Sequence, residues 1–305
     1  MERGGERPQR WATHTVTEAE AGSTVREILR GPMAVSGRMI QRLTRARGIL
    51  LNRRPAFLDR RVRSGDLLAA RVAADEEPAL PAVEMTLSVV MEDGDLLVVD
   101  KPAGLLVHPS KPDHQHTLAN GVAHHLRQHG IRARVRPVHR IDRDTSGLVL
   151  FAKSAHAQSA LDVQLRDHTL RRSYLALVEG VPDEPEGTIQ VPIGPDPRRP
   201  GRRTVRSDGD PARTHYRVLE RFADAALLDL TLETGRTHQI RVHLAYAGHP
   251  ILGDRWYGGG PRMRRPALHA GKLSFIHPTK GVPVEVGAPL PSDMHDLLEG
   301  LRGSR

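Results

Sequence analysis

Cysteine is absent from all 305 residues of the chain. Disulfide bonds, thiolate metal ligands and cysteine nucleophiles are therefore excluded. Long apolar runs are also missing, because no stretch approaches the roughly 18 residues that a membrane-spanning helix needs. Residues 1–10 lack the apolar segment of a secretory signal. We therefore expect a cytoplasmic protein without a membrane partner.

Sequence signals for bound cofactors are missing as well. No glycine-rich phosphate-binding loop follows a predicted strand, which argues against a nucleotide cofactor. The chain has 17 histidines, and several of them cluster between residues 114 and 129. Within this cluster, the adjacent His124 and His125 would point about 100° apart on a helix, an arrangement that favours solvated side chains over metal ligands. We expect neither a cofactor nor a metal.

Aromatic residues are scarce, with four Tyr, four Phe and two Trp, whereas positive charge is in excess. The 45 Lys and Arg residues outnumber the 36 Asp and Glu residues and give a net charge of +9. A strongly basic chain commonly binds a polyanion, and nucleic acid is the most frequent one. A genome that uses arginine throughout would produce the same excess, so the charge alone leaves the partner open.

The most informative segment is residues 139–147, His-Arg-Ile-Asp-Arg-Asp-Thr-Ser-Gly, which leads directly into the apolar run Leu148–Ala152. An acid this close to an apolar strand must be paired or solvated, because an unpaired buried charge costs on the order of several kcal/mol. Arg140 and Arg143 offer pairing nearby. By itself this pattern fits a surface turn held by ion pairs equally well.

A second segment, Gly-Arg-Thr-His-Gln-Ile-Arg-Val-His-Leu at residues 235–244, changes this balance. Together the two segments resemble the RluA-type pseudouridine synthases, in particular the RluD-like members, whose hallmark is His-Arg-Leu-Asp-x-x-Thr-Ser-Gly. Ile141 replaces the usual leucine. Further blocks that are similar to the family occur in the family's order at residues 95–104, 107–109, 172–178, 247–254, 268–270 and 275–278.

The pattern of short apolar runs favours an α+β fold, with a largely antiparallel mixed sheet and few intervening helices. The resemblance implies that this is a catalytic domain of the pseudouridine synthase type, covering residues 86–305. We predict strands at residues 87–91, 96–99, 148–151, 174–178, 216–219, 226–232 and 240–244, and helices at residues 118–129 and 155–167.

The resemblance also implies the site residues. Asp142 takes the position of the catalytic aspartate, and Asp144 is its nearest competitor. Arg241 is expected to form an ion pair with Asp142, while Tyr174 is expected to stack on the uracil rather than to serve only as a core aromatic. The remaining expected substrate contacts are Arg140 around the vacated site in the RNA, His139 as support for the loop, and Ile240 beside the base.

The N-terminal part of the chain predicts a separate RNA-binding module. Residues 1–12 are polar and are expected to be disordered, residues 13–75 form the module, and residues 76–85 form a linker. A helix beginning at Thr24 with Ser23 as its cap, a basic helix at residues 37–45 and short strands follow one another. This small α/β unit resembles the α-L RNA-binding domain, which implies that Arg38 and Arg42 contact RNA. Five arginines in residues 195–210 predict a second basic loop that contacts phosphate.

The resemblance as a whole implies an enzyme that isomerises uridine to pseudouridine in structured RNA. Large-subunit ribosomal RNA is the expected substrate, and transfer RNA is the alternative. A non-catalytic RNA-binding or ribosome-assembly factor is the competing hypothesis, but such a factor would have no use for Asp142, Tyr174 and Arg241 together. A glycosidase fits less well because no second paired carboxylate motif is present. We expect a monomer.

Overall fold

The computed structural model describes residues 11–71, 80–111, 114–131 and 133–303. The first of these ranges forms a small unit in which two short helices pack on a four-stranded antiparallel sheet of order β1-β4-β2-β3. Its apolar side chains form a hydrophobic core of their own. Its elements are β1 (Trp11–Thr15), α1 (Val25–Arg30), α2 (Gly37–Arg45), β2 (Ile49–Leu51), β3 (Arg54–Pro55) and β4 (Leu67–Arg71).

Local sequence accounts for the ends of these elements. Thr24, rather than the expected Ser23, caps α1, because its side chain accepts from the backbone N–H of Glu27 while the Glu27 carboxylate accepts from that of Thr24. The turn between β2 and β3 places both Asn52 and Arg53 at positive φ, 50° and 67°. A two-residue hairpin turn requires positive φ at such positions, a conformation that residues other than glycine and asparagine adopt at an energetic cost.

The rest of the chain is built around one ten-stranded sheet with helices on its faces. The bounds of its elements are β5 (Ser88–Glu92), β6 (Leu96–Lys101), α3 (Leu118–Gln128), β7 (Arg136–Pro137), β8 (Ser146–Ala152), α4 (Ala155–Arg166), β9 (Arg171–Glu179), β10 (Glu186–Ile189), β11 (Ile193–Pro195), β12 (Arg203–Val205), β13 (Thr214–Arg221), β14 (Ala225–Leu232), α5 (Gln239–Tyr246), β15 (Leu268–Ile276), β16 (Pro283–Gly287) and α6 (Ser292–Gly303). The predicted α+β class with a largely antiparallel mixed sheet is confirmed.

The sheet follows the order β10-β13-β14-β9-β15-β8-β6-β5, with β16 also paired to β15 and β7 to β8. The pairing of β8 with β15 is parallel, whereas the other strand pairs that the structure describes are antiparallel. At this parallel junction Gly147 lies opposite Ala270 with φ of 113°. A Cβ atom on Gly147 would lie 2.3 Å from the Ala270 carbonyl oxygen, so the two strands approach this closely only because residue 147 is glycine.

Both faces of β6 and β8 are buried, which explains their continuous apolar sequences. One face packs in the larger core with α3, and the other packs with α4 in a second cluster. The start of β8 directly after residues 139–145 therefore anchors the segment that carries Asp142 to the most deeply buried part of the sheet.

Several predictions of local structure were wrong. Residues 240–244, predicted as a strand, lie in helix α5. Trp11 and Ala12, which we assigned to the disordered tail, begin β1, while residues 1–10 lie outside the described residues. Within the basic segment 195–210, predicted as a loop, residues 196–202 form the turn of a hairpin between β11 and β12. The linker prediction falls partly outside the described residues, and within them residues 81 and 83 bond to Asn120 of α3.

No helix within the described ranges is both long and apolar enough to cross a membrane.

Candidate active site

Asp142 lies on the loop that enters β8, and this loop is fixed by its backbone. The carbonyl of Asp142 accepts from the N–H of Thr145 at 3.2 Å. Lys101, whose side chain is fully buried, donates to the carbonyl oxygens of Arg143 at 2.9 Å and Pro102 at 2.8 Å. Burial lowers the pKa of Lys101 to about 7, although Asp144 and Asp142 oppose this change. The position of the loop that carries Asp142 thus depends on hydrogen bonds from a buried amine that is shielded from water.

Arg241 lies between two carboxylates. Its Nη1 is 3.4 Å from Oδ2 of Asp142, while its Nε and Nη2 donate to the two carboxylate oxygens of Asp254 at 2.6 and 2.9 Å. Burial opposes the charge of this guanidinium, but the hydrogen bonds and charge of Asp254, reinforced by Asp142, raise its pKa above the ordinary value. The bidentate contact fixes the plane of the guanidinium. Arg241 therefore presents a fixed positive charge to Asp142.

His238 and Tyr257 complete this side of the site. His238 is the residue before α5 and adopts the left-handed conformation with φ of 59°. Its Nδ1 is 2.8 Å from the Tyr257 hydroxyl, and its Nε2 is 4.0 Å from Oδ2 of Asp142. Burial lowers the pKa of His238 even though Asp142 opposes this change. At neutral pH a neutral imidazole therefore faces the aspartate, and the positive charge beside Asp142 comes from Arg241.

Tyr174 and Ile240 form apolar walls of the cavity above Asp142. Tyr174 lies on β9 and is buried to 4% exposure, and Ile240 on α5 is equally buried. Both line the same cavity as Asp142. Burial raises the pKa of Tyr174, an effect that Asp142 reinforces and Arg172 opposes, so its phenol stays protonated at neutral pH. The carboxylate thus faces a space that is apolar on two sides, with a hydroxyl group nearby.

The other predicted contacts occupy different environments. Arg140 is exposed and lines the cavity, which leaves its side chain accessible to a large substrate. His139 is buried, its Nε2 accepts from the N–H of Leu150 at 3.2 Å, and burial lowers its pKa to about 3. Arg38 and Arg42 lie on the exposed side of α2 in the N-terminal unit and do not line this cavity.

Arg172 is a cavity residue to which sequence reasoning gave no role. It is 9% exposed, lines the cavity with Asp142 and Tyr174, and its Nε has no hydrogen-bond partner among the described residues. Among those residues it also forms no ion pair. A buried, unpaired guanidinium is costly and fits a site that receives an anion or a carbonyl oxygen from a ligand.

Asp254 was missed for a different reason. It is 1% exposed, and it was visible in the sequence as an acid directly after the apolar run Ile251–Leu252 and Gly253. The same physical reasoning that singled out Asp142 applies to Asp254, because a buried acid needs a partner. What the sequence did not give was the partner, since α5 had been predicted as a strand.

The geometry agrees with comparisons against known proteins. The sequence model of the family described as RNA pseudouridylate synthase matches residues 95–246. The uncharacterized RNA pseudouridine synthase YhcT of Bacillus subtilis (strain 168) is 39% identical over 285 residues, which cover 92% of this chain and 94% of that protein. The ribosomal large subunit pseudouridine synthase D of Nitrosomonas europaea is 43% identical over 246 residues, which cover 77% of this chain and 71% of that protein.

Solved structures agree as well. The human protein RNA pseudouridylate synthase domain containing 1 is 28% identical, with a TM-score of 0.56 over 73% of this chain and 97% of that one. The human protein RNA pseudouridylate synthase domain containing 4 shares the fold, with a TM-score of 0.59, 24% identity, and coverage of 70% of this chain and 93% of that one. The predicted family is thereby confirmed. This chain belongs to the RluA-type RNA pseudouridine synthases, and it isomerises uridine to pseudouridine in RNA.

Proposed function

We propose that the enzyme modifies specific uridines of large-subunit ribosomal RNA, with Asp142 as the catalytic carboxylate. The observation that carries this assignment is the pairing of Asp142 with Arg241, itself clamped by Asp254, within a cavity walled by Tyr174 and Ile240. The competing acid, Asp144, bonds to the exposed Arg143 instead and does not line the cavity.

The reaction breaks the bond between the base nitrogen and ribose carbon 1, turns the base, and joins it again through carbon 5. The ribose develops positive charge as the first bond breaks, as in glycoside cleavage. An ionised carboxylate can stabilise that charge, or it can attack either the sugar or the uracil. A proton acceptor must later remove the proton from carbon 5 of the uracil. The guanidinium of Arg241 places a fixed positive charge 3.4 Å from Oδ2 of Asp142, which holds the carboxylate in position in the cavity.

The position of the half-buried Asp142 in a cavity lined by Tyr174 and Ile240 supports flipping of the uridine out of the RNA stack, because a stacked base does not reach such a cavity. Flipping costs on the order of a few kcal/mol. Tyr174 and Ile240 offer apolar contact to the base inside the cavity, and the exposed Arg140 at the rim is suited to the RNA around the vacated position. Arg172 offers a guanidinium to the nucleotide's phosphate or to a uracil carbonyl oxygen.

The assignment of the substrate rests on relatives and on charge. Several similar proteins are ribosomal large subunit pseudouridine synthases, including those of Nitrosomonas europaea and Salmonella typhimurium. The N-terminal unit adds an exposed arginine face on α2, formed by Arg38, Arg42 and Arg45. We assign residues 13–75 to RNA binding, which would bring a structured RNA to the catalytic cavity.

Tritium release from RNA that carries [5-³H]uridine tests the catalytic assignment. Asp142→Asn should abolish release, while its affinity for the RNA stays within a few-fold of the wild type. Asp144→Asn is the matched control, because it removes the same charge two residues away, and it should keep most of the activity. Full turnover by Asp142→Asn would refute the assignment.

Mapping of pseudouridine in a deletion strain tests the substrate. Loss of one or a few pseudouridines in large-subunit ribosomal RNA, restored by the wild-type gene but not by Asp142→Asn, is the expected result. Loss confined to transfer RNA would overturn the substrate and leave the chemistry intact.

A further inference from the structure

An exposed tryptophan lies beside the catalytic cavity. Trp256 follows Asp254 by two residues and is 46% exposed, although large aromatic side chains are usually buried. The chain has only two tryptophans. An exposed indole at the rim of a site that receives RNA suggests a contact with the substrate.

The position of Trp256 relative to Asp142 is defined by His238. The rings of His238 and Trp256 are 5.8 Å apart and meet edge to face, at an interplanar angle of 79°. Nε2 of the same imidazole is 4.0 Å from Oδ2 of Asp142. The backbone N–H of Trp256 is also 3.3 Å from Oδ1 of Asp254, the residue that clamps Arg241. The guanidinium carbon of Arg241 is also 5.8 Å from the centre of the indole ring, so two residues that approach Asp142, His238 and Arg241, lie close to Trp256.

The hairpin of β11 and β12 supplies a second planar group. The guanidinium carbon of Arg202 lies 5.3 Å from the centre of the indole ring, and its Nη1 donates to the carbonyl of Trp256 at 2.7 Å. The backbone N–H of Arg203 donates to the Tyr257 hydroxyl at 2.9 Å. These two bonds attach the basic hairpin to the segment that carries Trp256, so the indole and the guanidinium form one fixed unit.

We propose that Trp256 and Arg202 form a stacking platform for an unpaired base of the RNA, adjacent to the flipped uridine. Aromatic rings and arginine guanidinium planes are the groups on which proteins stack unpaired RNA bases. The platform deepens the proposed function and rests on it, because flipping a uridine exposes the neighbouring base. A planar surface at the cavity rim holds that base open and keeps the RNA from closing again.

Fluorescence provides a direct test in the full chain. In the Trp11→Phe variant, Trp256 is the sole tryptophan, because Trp11 lies in β1 of the N-terminal unit. A single-stranded 12-nucleotide RNA of mixed sequence should quench this fluorescence saturably. Inorganic polyphosphate, which has the charge but no bases, should leave it nearly unchanged. Absence of saturable quenching by the RNA, or equal quenching by polyphosphate, would overturn the platform.

Substitutions separate stacking from charge and from folding. Trp256→Leu should weaken binding of the 12-nucleotide RNA about 5- to 150-fold, the range expected for the loss of one stacked base, and Trp256→Phe should weaken it less. Arg202→Ala should weaken it more than Arg199→Ala, a control that removes the same charge from an exposed position in the same hairpin. Equal effects of the two arginine variants, or equal effects of Leu and Phe at position 256, would refute stacking.

Turnover distinguishes this proposal from the proposed function. In tritium release from ribosomal RNA, Trp256→Leu should raise KM and leave the rate at saturating RNA within a few-fold of the wild type. A fall in the saturated rate at unchanged KM would show that Trp256 serves only the geometry of the cavity. The quenching test does not require that ribosomal RNA be the substrate. Lack of activity on ribosomal RNA would therefore refute the substrate assignment alone, whereas lack of quenching in an active enzyme would refute the platform alone.

Discussion

Replacing Arg241 by methionine should separate the contribution of this residue to folding from its contribution to catalysis. Methionine keeps much of the volume and removes the charge that lies between Asp142 and Asp254. The two carboxylates differ in environment, because Asp254 is 1% exposed whereas the side chain of Asp142 is 22% exposed. Loss of the arginine should therefore act on the two residues in different ways.

The effect on stability follows from Asp254. Removing one partner of a buried ion pair typically costs about 3–5 kcal/mol, because it leaves the other charge buried and unpaired. The second substitution Asp254→Asn in the Arg241→Met background should restore about half of this loss or more, since a buried pair replaced by neutral groups costs little. The exposed pair of Arg217 and Asp229 is the control, and Arg217→Met should change the free energy of unfolding by less than about 1 kcal/mol.

The effect on turnover follows from Asp142. Two unit charges 3.4 Å apart interact by about 5 kcal/mol at an effective dielectric constant of roughly 20. The partial exposure of Asp142 to solvent weakens this interaction. We expect about 2–3 kcal/mol of it to act in the transition state, which corresponds to a loss of roughly 30- to 150-fold in rate. Arg241→Lys should lose less, because it keeps the charge but not the planar bidentate contact.

Urea unfolding and single-turnover tritium release at saturating RNA measure the two effects on the same protein samples. The double variant Arg241→Met/Asp254→Asn should regain stability without regaining turnover. Recovery of turnover together with stability would show that Arg241 acts only through the fold, and the proposed charge stabilisation of Asp142 would then be refuted.

Two further predictions follow from other parts of the molecule. The pKa of Lys101 is about 7 in the folded chain, against an ordinary value of 10.5. Between these two pH values the unfolded chain binds more protons than the folded chain. The free energy of unfolding should therefore rise as the pH increases from about 7 to 10. Urea unfolding across this range should show a clearly smaller rise in Lys101→Met, and an unchanged rise would contradict the assignment. The double variant Arg38→Gln/Arg42→Gln should weaken RNA binding and reduce the slope of log affinity against log salt by about 1.4–1.8, at about 0.7–0.9 per lost phosphate contact. An unchanged slope would show that α2 does not bind RNA.

The sequence was most informative where burial and strand pattern coincide. The apolar runs of β6 and β8 are buried on both faces, and they were predicted correctly as strands because continuous β-branched and aliphatic residues suit that environment. The helices α3 and α4 were predicted within a residue or two of their observed ends. The helical pattern of each segment was sufficient here, since this signal is local.

Helix α5 was mistaken for a strand for an identifiable physical reason. Residues 240–244 alternate between apolar and polar, which is the pattern of a half-buried strand. In the structure every residue from 239 to 244 is buried, so the helix has no solvent face to produce a 3.6-residue period. Its polar members are satisfied by tertiary contacts, with Arg241 bound to Asp254 and His243 to Thr214. A single sequence does not reveal such contacts.

The error in α5 did not affect the residue assignments because these came from motif position and not from secondary structure. It did conceal how the site is built. On a strand, Ile240 and Arg241 would point to opposite faces of a sheet. On a helix the two side chains diverge by about 100°, and both line the cavity with Asp142. A short buried helix therefore supplies the charge, the apolar wall and, through His238 at its start, the link to the rim of the site. Through the same His238, whose ring centre is 5.8 Å from that of Trp256, the helix also places the indole beside the site.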